Sequence, residues 1–348
     1  MILARQSNCY ISYHDVDYEA LLDGQYGVEE KNWLSEKAKL LNVLSSGLVF
    51  KISELQLPLE RSRALAIQTA RGLSDSLKAL GAPSDMYVEV DHLQKTHVVD
   101  GHTTRTLIPH HDGGHASYLT PSVLDVPSWS PKWRVFSDKG VTSDSHKLYQ
   151  GFFLHHAGEG ESLTSYYDLL KVIRASYLYQ HQTSEVSIQE LQNWLGGHLI
   201  RAFELRRNWH FNYINLGTVF GSPKPEHLAT DIHYMEAPLK AEQKSYFPEI
   251  ATSKAKECDS ETEYVMNEIC SITLGLDWQE FRKEYESALQ NTTFDFVIGH
   301  NLNLLHGGLN SGSKRLLEPI CLVMKHPLTL SYEEWLSKAW RKHQLLWG

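Results

Sequence analysis

The chain has 348 residues and a formal net charge of −9, with 42% hydrophobic and 22% charged residues. This composition supplies enough apolar side chains for a folded core and is unlike that of a disordered chain. The negative charge argues against a nucleic-acid-binding surface, because phosphate binding needs clustered cations. We expect one globular domain, residues 1–348, because decorated β-barrel domains often reach this length.

Two further features of the sequence bear on location. The chain has no uninterrupted apolar run close to the roughly 18 residues of a transmembrane helix, so we expect no membrane association. The N-terminus lacks a charged and then apolar leader, and the cysteines show no CxxC spacing. We therefore expect a cytoplasmic protein with reduced thiols. The cysteines are Cys9, Cys258, Cys270 and Cys321.

The N-terminal part is predicted to alternate helices with short strands. A helix is expected near Glu29–Val43, followed by a short buried strand at Leu48–Ile52. A second helix begins at Pro58 and has an apolar stripe at steps of three and four residues. The stripe consists of Ala66, Ala70, Leu73, Leu77 and Leu80. Strands are then predicted at Met86–Val90 and Thr103–Ile108, and the second leads into a cluster of histidines.

Residues 119–150 are predicted to form a long ordered loop. The segment contains four residues that disfavour regular structure, with two tryptophans between them: Pro121, Pro127, Pro131 and Gly140, with Trp129 and Trp133. A loop of this length in a compact domain is usually functional or disordered, and the aromatic residues favour an ordered one. Its position directly after the histidine cluster predicts a lid-like loop. A surface excursion pinned by the two tryptophans is the alternative.

The second half of the chain is predicted to be rich in helices. A strand at Gly151–His155 and a turn at Ser162 precede a helix expected over Thr164–Tyr179. Capping boxes, in which Ser or Asp precedes Glu by three residues, indicate helix starts in a helical insertion at about 180–290 and again further on. These boxes are Ser187 with Glu190, Ser260 with Glu263, Asp277 with Glu280, and Ser331 with Glu334.

Three histidines, an aspartate and two glycines follow the strand predicted at Thr103–Ile108. The stretch reads Ile108-Pro109-His110-His111-Asp112-Gly113-Gly114-His115. His110 and Asp112 are two residues apart, so on an extended strand both side chains leave from one face and can bind one metal ion. Because this composition gives about two His-x-Asp/Glu matches by chance, the pair needs a second element to be informative.

The second element lies far downstream, between strands predicted at Phe294–Ile298 and Leu316–Met324. There His306 closes one apolar run, and Arg315 begins the next one nine residues later. Two histidines and one carboxylate on one face of an octahedron form the facial triad of non-haem Fe(II) oxygenases, which leaves three positions open. A nearby arginine suits an anionic cosubstrate. Ligands that are 306 − 112 = 194 residues apart meet only if strands from both halves of the chain pair in one barrel.

In these segments the chain resembles the taurine-dioxygenase-like Fe(II)/2-oxoglutarate oxygenases. The shared pattern is His-x-Asp, a long gap, a distal His and, about ten residues later, an Arg. A hydroxyl residue that touches 2-oxoglutarate in that family corresponds to Ser162, within Gly160–Ser165. The resemblance covers roughly residues 86–118, 150–180 and 292–324.

The resemblance implies an α+β, mainly β fold whose core is a double-stranded β-helix, a cupin-like jelly roll, buttressed by several helices. It implies that His110, Asp112 and His306 are the catalytic ligands of Fe(II), and that Arg315 and Ser162 bind the cosubstrate 2-oxoglutarate. With O2, such an enzyme oxidises an unactivated C–H bond by hydroxylation, desaturation or cyclisation and releases succinate and CO2. The expected partner is a small-molecule substrate, an amino acid or a natural-product intermediate. The oligomeric state is left open.

Three residues close to the predicted triad are candidate substrate contacts: His111, His115 and Tyr118. Adjacent residues of a strand point to opposite faces, and the triad is complete without these residues. Many members of the family carry another arginine four residues after the cosubstrate arginine, where it helps bind anionic groups. Here that position is Pro319, which argues against a small sulfonate or phenoxyacetate substrate.

Two other functions and one other reaction fit parts of the same pattern. A cupin-type protein could bind the metal without catalysis, but it would have no need of a dicarboxylate clamp such as Arg315 with Ser162. A zinc hydrolase could use the histidine-rich stretch, but the usual His-x-His-x-Asp-His order is absent. A register shifted by one residue, His111-x-Gly113, would imitate a halogenase. The register with His110 and Asp112 gives a complete triad, so we predict no chlorination.

Overall fold

The computed structural model describes residues 9–44, 46–91, 94–95, 104–110, 146–158, 162–191, 270–271, 274–301, 304–311 and 315–324. Its strands are β1 Tyr10–Ile11, β2 Leu48–Phe50, β3 Met86–Val90, β4 Gln94–Lys95, β5 Thr104–His110, β6 His146–His156, β7 Leu163–Asp168, β8 Glu286–Gln290, β9 Phe296–His300, β10 Leu304–Ser311 and β11 Leu316–Met324. Its main helices are α1 Tyr18–Leu22, α2 Val28–Val43, α3 Leu59–Ala79, α4 Leu169–Gln180 and α5 Trp278–Tyr285, with a 3₁₀ helix at Ile52–Leu55.

The strands form two sheets, so the fold is mixed α+β. The larger sheet has the order β1-β2-β9-β6-β11-β3, with β4 also pairing with β11. The smaller sheet has the order β5-β10-β7-β8. The pairs are antiparallel except β1 with β2, which is parallel. Within the residues described, the strands do not close into a barrel.

A small apolar cluster joins the two sheets and is called the inter-sheet cluster below. Its buried members are Cys9, Val49, Tyr166, Leu289, Val297 and Leu304. Val49 and Val297 come from the larger sheet, whereas Tyr166 and Leu304 come from the smaller one. Because side chains alternate along a strand, these residues mark the face of each sheet that is directed at the other.

The other face of the larger sheet is covered by helices α2 and α3. The residues that alternate with the inter-sheet positions, such as Phe50 and Phe296, belong to a larger core that also holds the apolar face of α3. The predicted stripe of α3 is confirmed for Ala66, Ala70, Leu73 and Leu77, which are fully buried. The stripe was wrong at its end: Leu80 is 42% exposed because it caps the helix, which ends at Ala79.

Several predicted elements are confirmed with small shifts of their boundaries. The helix predicted near Glu29–Val43 and the strand predicted at Leu316–Met324 are present. Strand β2 ends at Phe50, because the chain turns into the 3₁₀ helix at Ile52. Strand β6 begins at His146, so residues 146–150 of the predicted lid-like loop are strand. The rest of that loop, residues 119–145, lies outside the described residues.

The predicted helix over Thr164–Tyr179 was wrong in its first part. Residues Leu163–Asp168 form strand β7, and the helix begins only at Leu169. The β-branched and aromatic residues of this segment favour a strand. Asp168 then caps the helix, because its carboxylate accepts a hydrogen bond from the Lys171 N–H at 3.2 Å.

The sequence did not predict β8 or β10 as strands. His306 lies within β10 and not in a connection between two strands. The capping box of Asp277 with Glu280 begins α5 as expected, and Ser187 with Glu190 begins a helix at residue 188. The other two predicted boxes and most of the expected helical insertion lie outside the described residues. Among the described helices, none is both long enough and apolar enough to span a bilayer.

A buried carboxylate ties α3 to the larger sheet. Glu318 on β11 accepts two hydrogen bonds from Arg63, from Nε and from Nη2, each at 2.7 Å. The ring nitrogen Nε2 of His155 on β6 lies 3.1 Å from the same carboxylate. Burial acts to raise the pKa of Glu318, but the hydrogen bonds and charges of Arg63 and His155 outweigh it and hold the pKa below its usual value.

Candidate functional site

The strand register brings two of the predicted metal ligands to neighbouring positions. β10 lies between β5 and β7, and His306 on β10 is paired with His110 on β5. Residues directly opposite each other in an antiparallel pair share a face of the sheet, with Cβ atoms about 4.5–5.5 Å apart. Two positions that are 306 − 110 = 196 residues apart in sequence are therefore adjacent in the fold.

His306 belongs to the face of the smaller sheet that is directed at the larger one. Along β10, Leu304 is part of the inter-sheet cluster and Leu305 is part of the larger core. The alternation of side chains puts His306 on the same face as Leu304. On its other side His306 is paired with Tyr166 of β7, which is also a member of the inter-sheet cluster. The position is partly buried.

The third predicted ligand, Asp112, lies outside the described residues, as do the three predicted substrate contacts His111, His115 and Tyr118. Strand β5 extends to His110, two residues beyond the predicted end of the strand. Asp112 follows this strand end by two residues. No cluster of three metal-ligating side chains occurs within the part of the chain that the structure describes. The triad therefore stays a prediction, with two of its backbone positions brought together.

Arg315 is a buried cation next to the inter-sheet cluster. It immediately precedes β11 and is 7% exposed. The Cζ atom of its guanidinium lies 5.2 Å from the ring centroid of Phe152, which packs against the inter-sheet cluster. Burial lowers the pKa of Arg315 to about 10, and Tyr166 acts in the opposite direction. The side chain is therefore still a cation at neutral pH, in a setting where a bound carboxylate would offset the cost of desolvation.

Ser162 offers a buried hydroxyl at the start of β7. The residue is 3% exposed, and its carbonyl oxygen accepts a hydrogen bond from the Asn291 N–H at 3.0 Å. Within the described part of the chain, its Oγ has no hydrogen-bond partner. A buried hydroxyl without a partner costs about 1–3 kcal/mol, which a ligand oxygen could recover. Counting back along the strand in steps of two, Ser162 shares the face of Tyr166.

Tyr166 is the residue of this site that the sequence did not indicate. It is paired with His306, shares a face with Ser162 and interacts electrostatically with Arg315. Burial raises the pKa of its phenol, and Arg315 opposes that shift. The phenol is therefore neutral at physiological pH. An aromatic residue in a strand is ordinarily interpreted as a core residue. Tyr166 becomes a candidate for the site only because the strand register pairs it with His306 on β10.

The residues beside the inter-sheet cluster fit the group implied by the resemblance. Two histidine positions lie opposite each other on paired strands, and imidazole is a nitrogen ligand that suits iron. A buried guanidinium provides a planar pair of donors for a carboxylate, and a buried hydroxyl lacking a described partner provides another hydrogen-bonding group. Histidines that would hold iron and an arginine that would pair with a carboxylate are the residue types that such a group would need.

Comparisons of the chain with protein-family models, with curated proteins and with solved structures found no match.

Proposed function

We propose that the protein is an Fe(II)- and 2-oxoglutarate-dependent oxygenase that oxidises an unactivated C–H bond of a small molecule. The observation that carries this proposal is the pairing of His306 with His110 in the smaller sheet. Two histidines from opposite halves of the chain thereby occupy adjacent positions, as two ligands of one metal ion require. The buried Arg315 beside the inter-sheet cluster supports the choice of a dicarboxylate cosubstrate.

In this proposal His110, Asp112 and His306 hold the iron through two neutral imidazoles and one carboxylate. That ligand set leaves three positions for the keto acid and oxygen. When bound, the cofactor supplies the oxidising chemistry, with 2-oxoglutarate converted to succinate and CO2. Asp112 fills the position that chloride would need, so hydroxylation, desaturation or cyclisation is expected and chlorination is not.

The chain itself supplies binding, orientation and a dry environment. Arg315 fixes the far carboxylate of 2-oxoglutarate through its planar fork. Ser162 donates its hydroxyl hydrogen to a carboxylate oxygen of the cosubstrate. The inter-sheet cluster excludes water from one side of the site, which strengthens both interactions. His111, His115 and Tyr118 are the candidates for contact with the substrate.

We also propose that the two sheets belong to a jelly-roll core. Two facing, mainly antiparallel sheets that share an apolar cluster are the building plan of that fold. Both sheets combine strands from early and late in the chain, as the fold requires. Pro109 supports the arrangement in one detail: it lies in β5, a terminal strand of the smaller sheet, where a residue without an N–H is tolerated.

The decisive experiment is an anaerobic titration of the metal-free protein with Fe(II) and 2-oxoglutarate. A weak visible charge-transfer band of the iron–keto acid chelate is expected for the wild type. His306→Ala should abolish both the band and succinate formation. His155→Ala is the matched control, because His155 contacts Glu318 on the helix-covered side and should leave the band intact.

Each alternative outcome has a definite meaning. Metal binding without a chelate band would favour a cupin-type binding protein. Full activity of His306→Ala would remove His306 from the iron. A zinc hydrolase would show hydrolytic activity that does not depend on 2-oxoglutarate or O2.

A further inference from the structure

The ring of Tyr166 crosses from the smaller sheet into a slot between two glycines of the larger one. Gly47 immediately precedes β2, and a Cβ atom built on it would lie 2.5 Å from Cε2 and 2.7 Å from the hydroxyl oxygen of Tyr166. A Cβ atom built on Gly299 of β9 would overlap the other edge of the same ring. Both positions are closed to any side chain while the ring is there. Tyr166 therefore acts as a spacer between the sheets.

The spacer stands between the two ends of the proposed cosubstrate site. On the smaller sheet, Tyr166 is the cross-strand partner of His306. Towards the larger sheet, it belongs to the cluster against which Phe152 packs, and the guanidinium of Arg315 lies over the Phe152 ring. His306 lies in the smaller sheet and Arg315 next to the larger one, so the distance between the proposed iron and the guanidinium depends on the distance between the two sheets. A dicarboxylate that bridges the two must match it.

We propose that Tyr166 is a positioning residue whose ring, held between Gly47 and Gly299, sets the distance between His306 and Arg315 and so selects the chain length of the bridging 2-oxo acid. The inference rests on the proposed function. The residue acts through its bulk: a smaller side chain lets the sheets shift, and the site then loses its preference for a five-carbon dicarboxylate. The hydroxyl is not required for this role.

Strand β7 supplies a matched control one residue away. Tyr167 is also buried, but it lies on the opposite face of the strand, where its hydroxyl donates to Glu286 at 3.1 Å. Tyr167→Leu removes the same volume as Tyr166→Leu from the same strand without touching the glycine slot. Tyr166→Phe keeps the ring and removes only the hydroxyl.

The test compares 2-oxoglutarate with its six-carbon homologue, 2-oxoadipate, by anaerobic titration of the Fe(II) chelate band. Tyr166→Leu should lower the ratio of the two affinities by about tenfold or more, since one extra methylene in a fitted pocket is worth roughly 10–200-fold. Tyr166→Phe and Tyr167→Leu should keep the ratio within about threefold of the wild type. An unchanged ratio in Tyr166→Leu, or an equal loss in Tyr167→Leu, overturns the inference while leaving the proposed function intact.

A second measurement does not depend on the cosubstrate. Cys9 is a 3% exposed member of the inter-sheet cluster, so its thiol should be protected from iodoacetamide in the native protein. Peptide mapping should show faster labelling of Cys9 in Tyr166→Leu than in Tyr167→Leu or the wild type. A wild type that fails to bind 2-oxoglutarate overturns both the proposed function and this role of Tyr166. Equal labelling of Cys9 in all variants overturns the spacer itself.

Discussion

Arg315 places a positive charge where water is almost absent. A buried cation is costly, and the cost is recovered when an anion binds to it. In the proposed complex, removing the side chain would leave the far carboxylate of 2-oxoglutarate without its partner. The sequence could single out Arg315 as a candidate ligand-binding residue, because an arginine that opens an apolar run near a distal histidine is an unusual combination. Its burial against Phe152 could not, since that contact joins β6 to a segment 163 residues later (315 − 152).

Arg315→Ala should therefore weaken 2-oxoglutarate binding by roughly 2–4 kcal/mol, measured by titration of the chelate band. Arg63→Ala serves as the control, because Arg63 binds Glu318 on the helix-covered side of the larger sheet. It should reduce stability and leave the affinity unchanged. If both variants bind 2-oxoglutarate as tightly as the wild type, another cation holds the far carboxylate.

At the scale of single elements, α3 is the part that the sequence describes best. Its apolar residues recur with the helical period, so the sequence alone favours a helix with one apolar face. Packing of that face against β11 and β3 stabilises the same helix. Strand β7 was harder to predict, because its aromatic residues run directly into α4 and no glycine or proline separates the two. Strand β10 contains Gly307 and Gly308, which are uncommon in strands. It is held by backbone hydrogen bonds to β5 and β7, and such pairing with distant segments is not visible in the local sequence.

The stripe of α3 gives a prediction with an internal control. Leu73 is fully buried, whereas Leu80, which the periodicity also assigned to the stripe, is 42% exposed. Leu73→Ala should lower the free energy of unfolding by about 2–5 kcal/mol, and Leu80→Ala by less than about 0.5 kcal/mol. Denaturant unfolding of the two variants measures the difference. Equal losses would mean that α3 is rotated about its axis relative to the arrangement described.

The contact between α3 and the larger sheet should depend on pH through Glu318. Its folded-state pKa lies below the ordinary value for glutamate, so the carboxylate contributes its full stabilisation above that ordinary value, about 4.3. The contribution is lost as the pH falls through the folded-state pKa. Glu318→Gln should cost about 1–2 kcal/mol at neutral pH, a modest figure because the Arg63 side chain is 37% exposed.

The measurement is the free energy of unfolding of Glu318→Gln and the wild type between pH 7 and pH 3. The two curves should converge at the acidic end. Glu19→Gln is a suitable reference, because the pair formed by Glu19 and Arg61 is about half exposed on both sides and should contribute little at any pH. A difference between wild type and Glu318→Gln that grows on acidification would contradict the assigned direction of the pKa shift.

At the scale of the whole molecule, ligand binding and folding should be linked, because the proposed ligands come from strands that must first pair. Mn(II) with 2-oxoglutarate, which avoids turnover, should raise the free energy of unfolding by about 2.7 kcal/mol at a hundred times the dissociation constant. His306→Ala should show no such rise. Thermal unfolding with and without the two ligands tests this, and a wild type that is indifferent to them would count against the metal site.

The pairing of β5 with β10 has a consequence for the time course of synthesis. At about 5–20 residues per second, the 196 residues from His110 to His306 take roughly 10–40 s to be added by the ribosome. Among the described strands, β5 has β10 as its neighbour in the sheet. The backbone donors and acceptors of β5 therefore lack their strand partner until β10 has been synthesised. The nascent chain would carry an unprotected strand edge and an incomplete set of histidines together. A chaperone that shields the segment around residues 104–110 would therefore guard against premature aggregation and, if the proposed metal site is correct, against capture of the wrong metal.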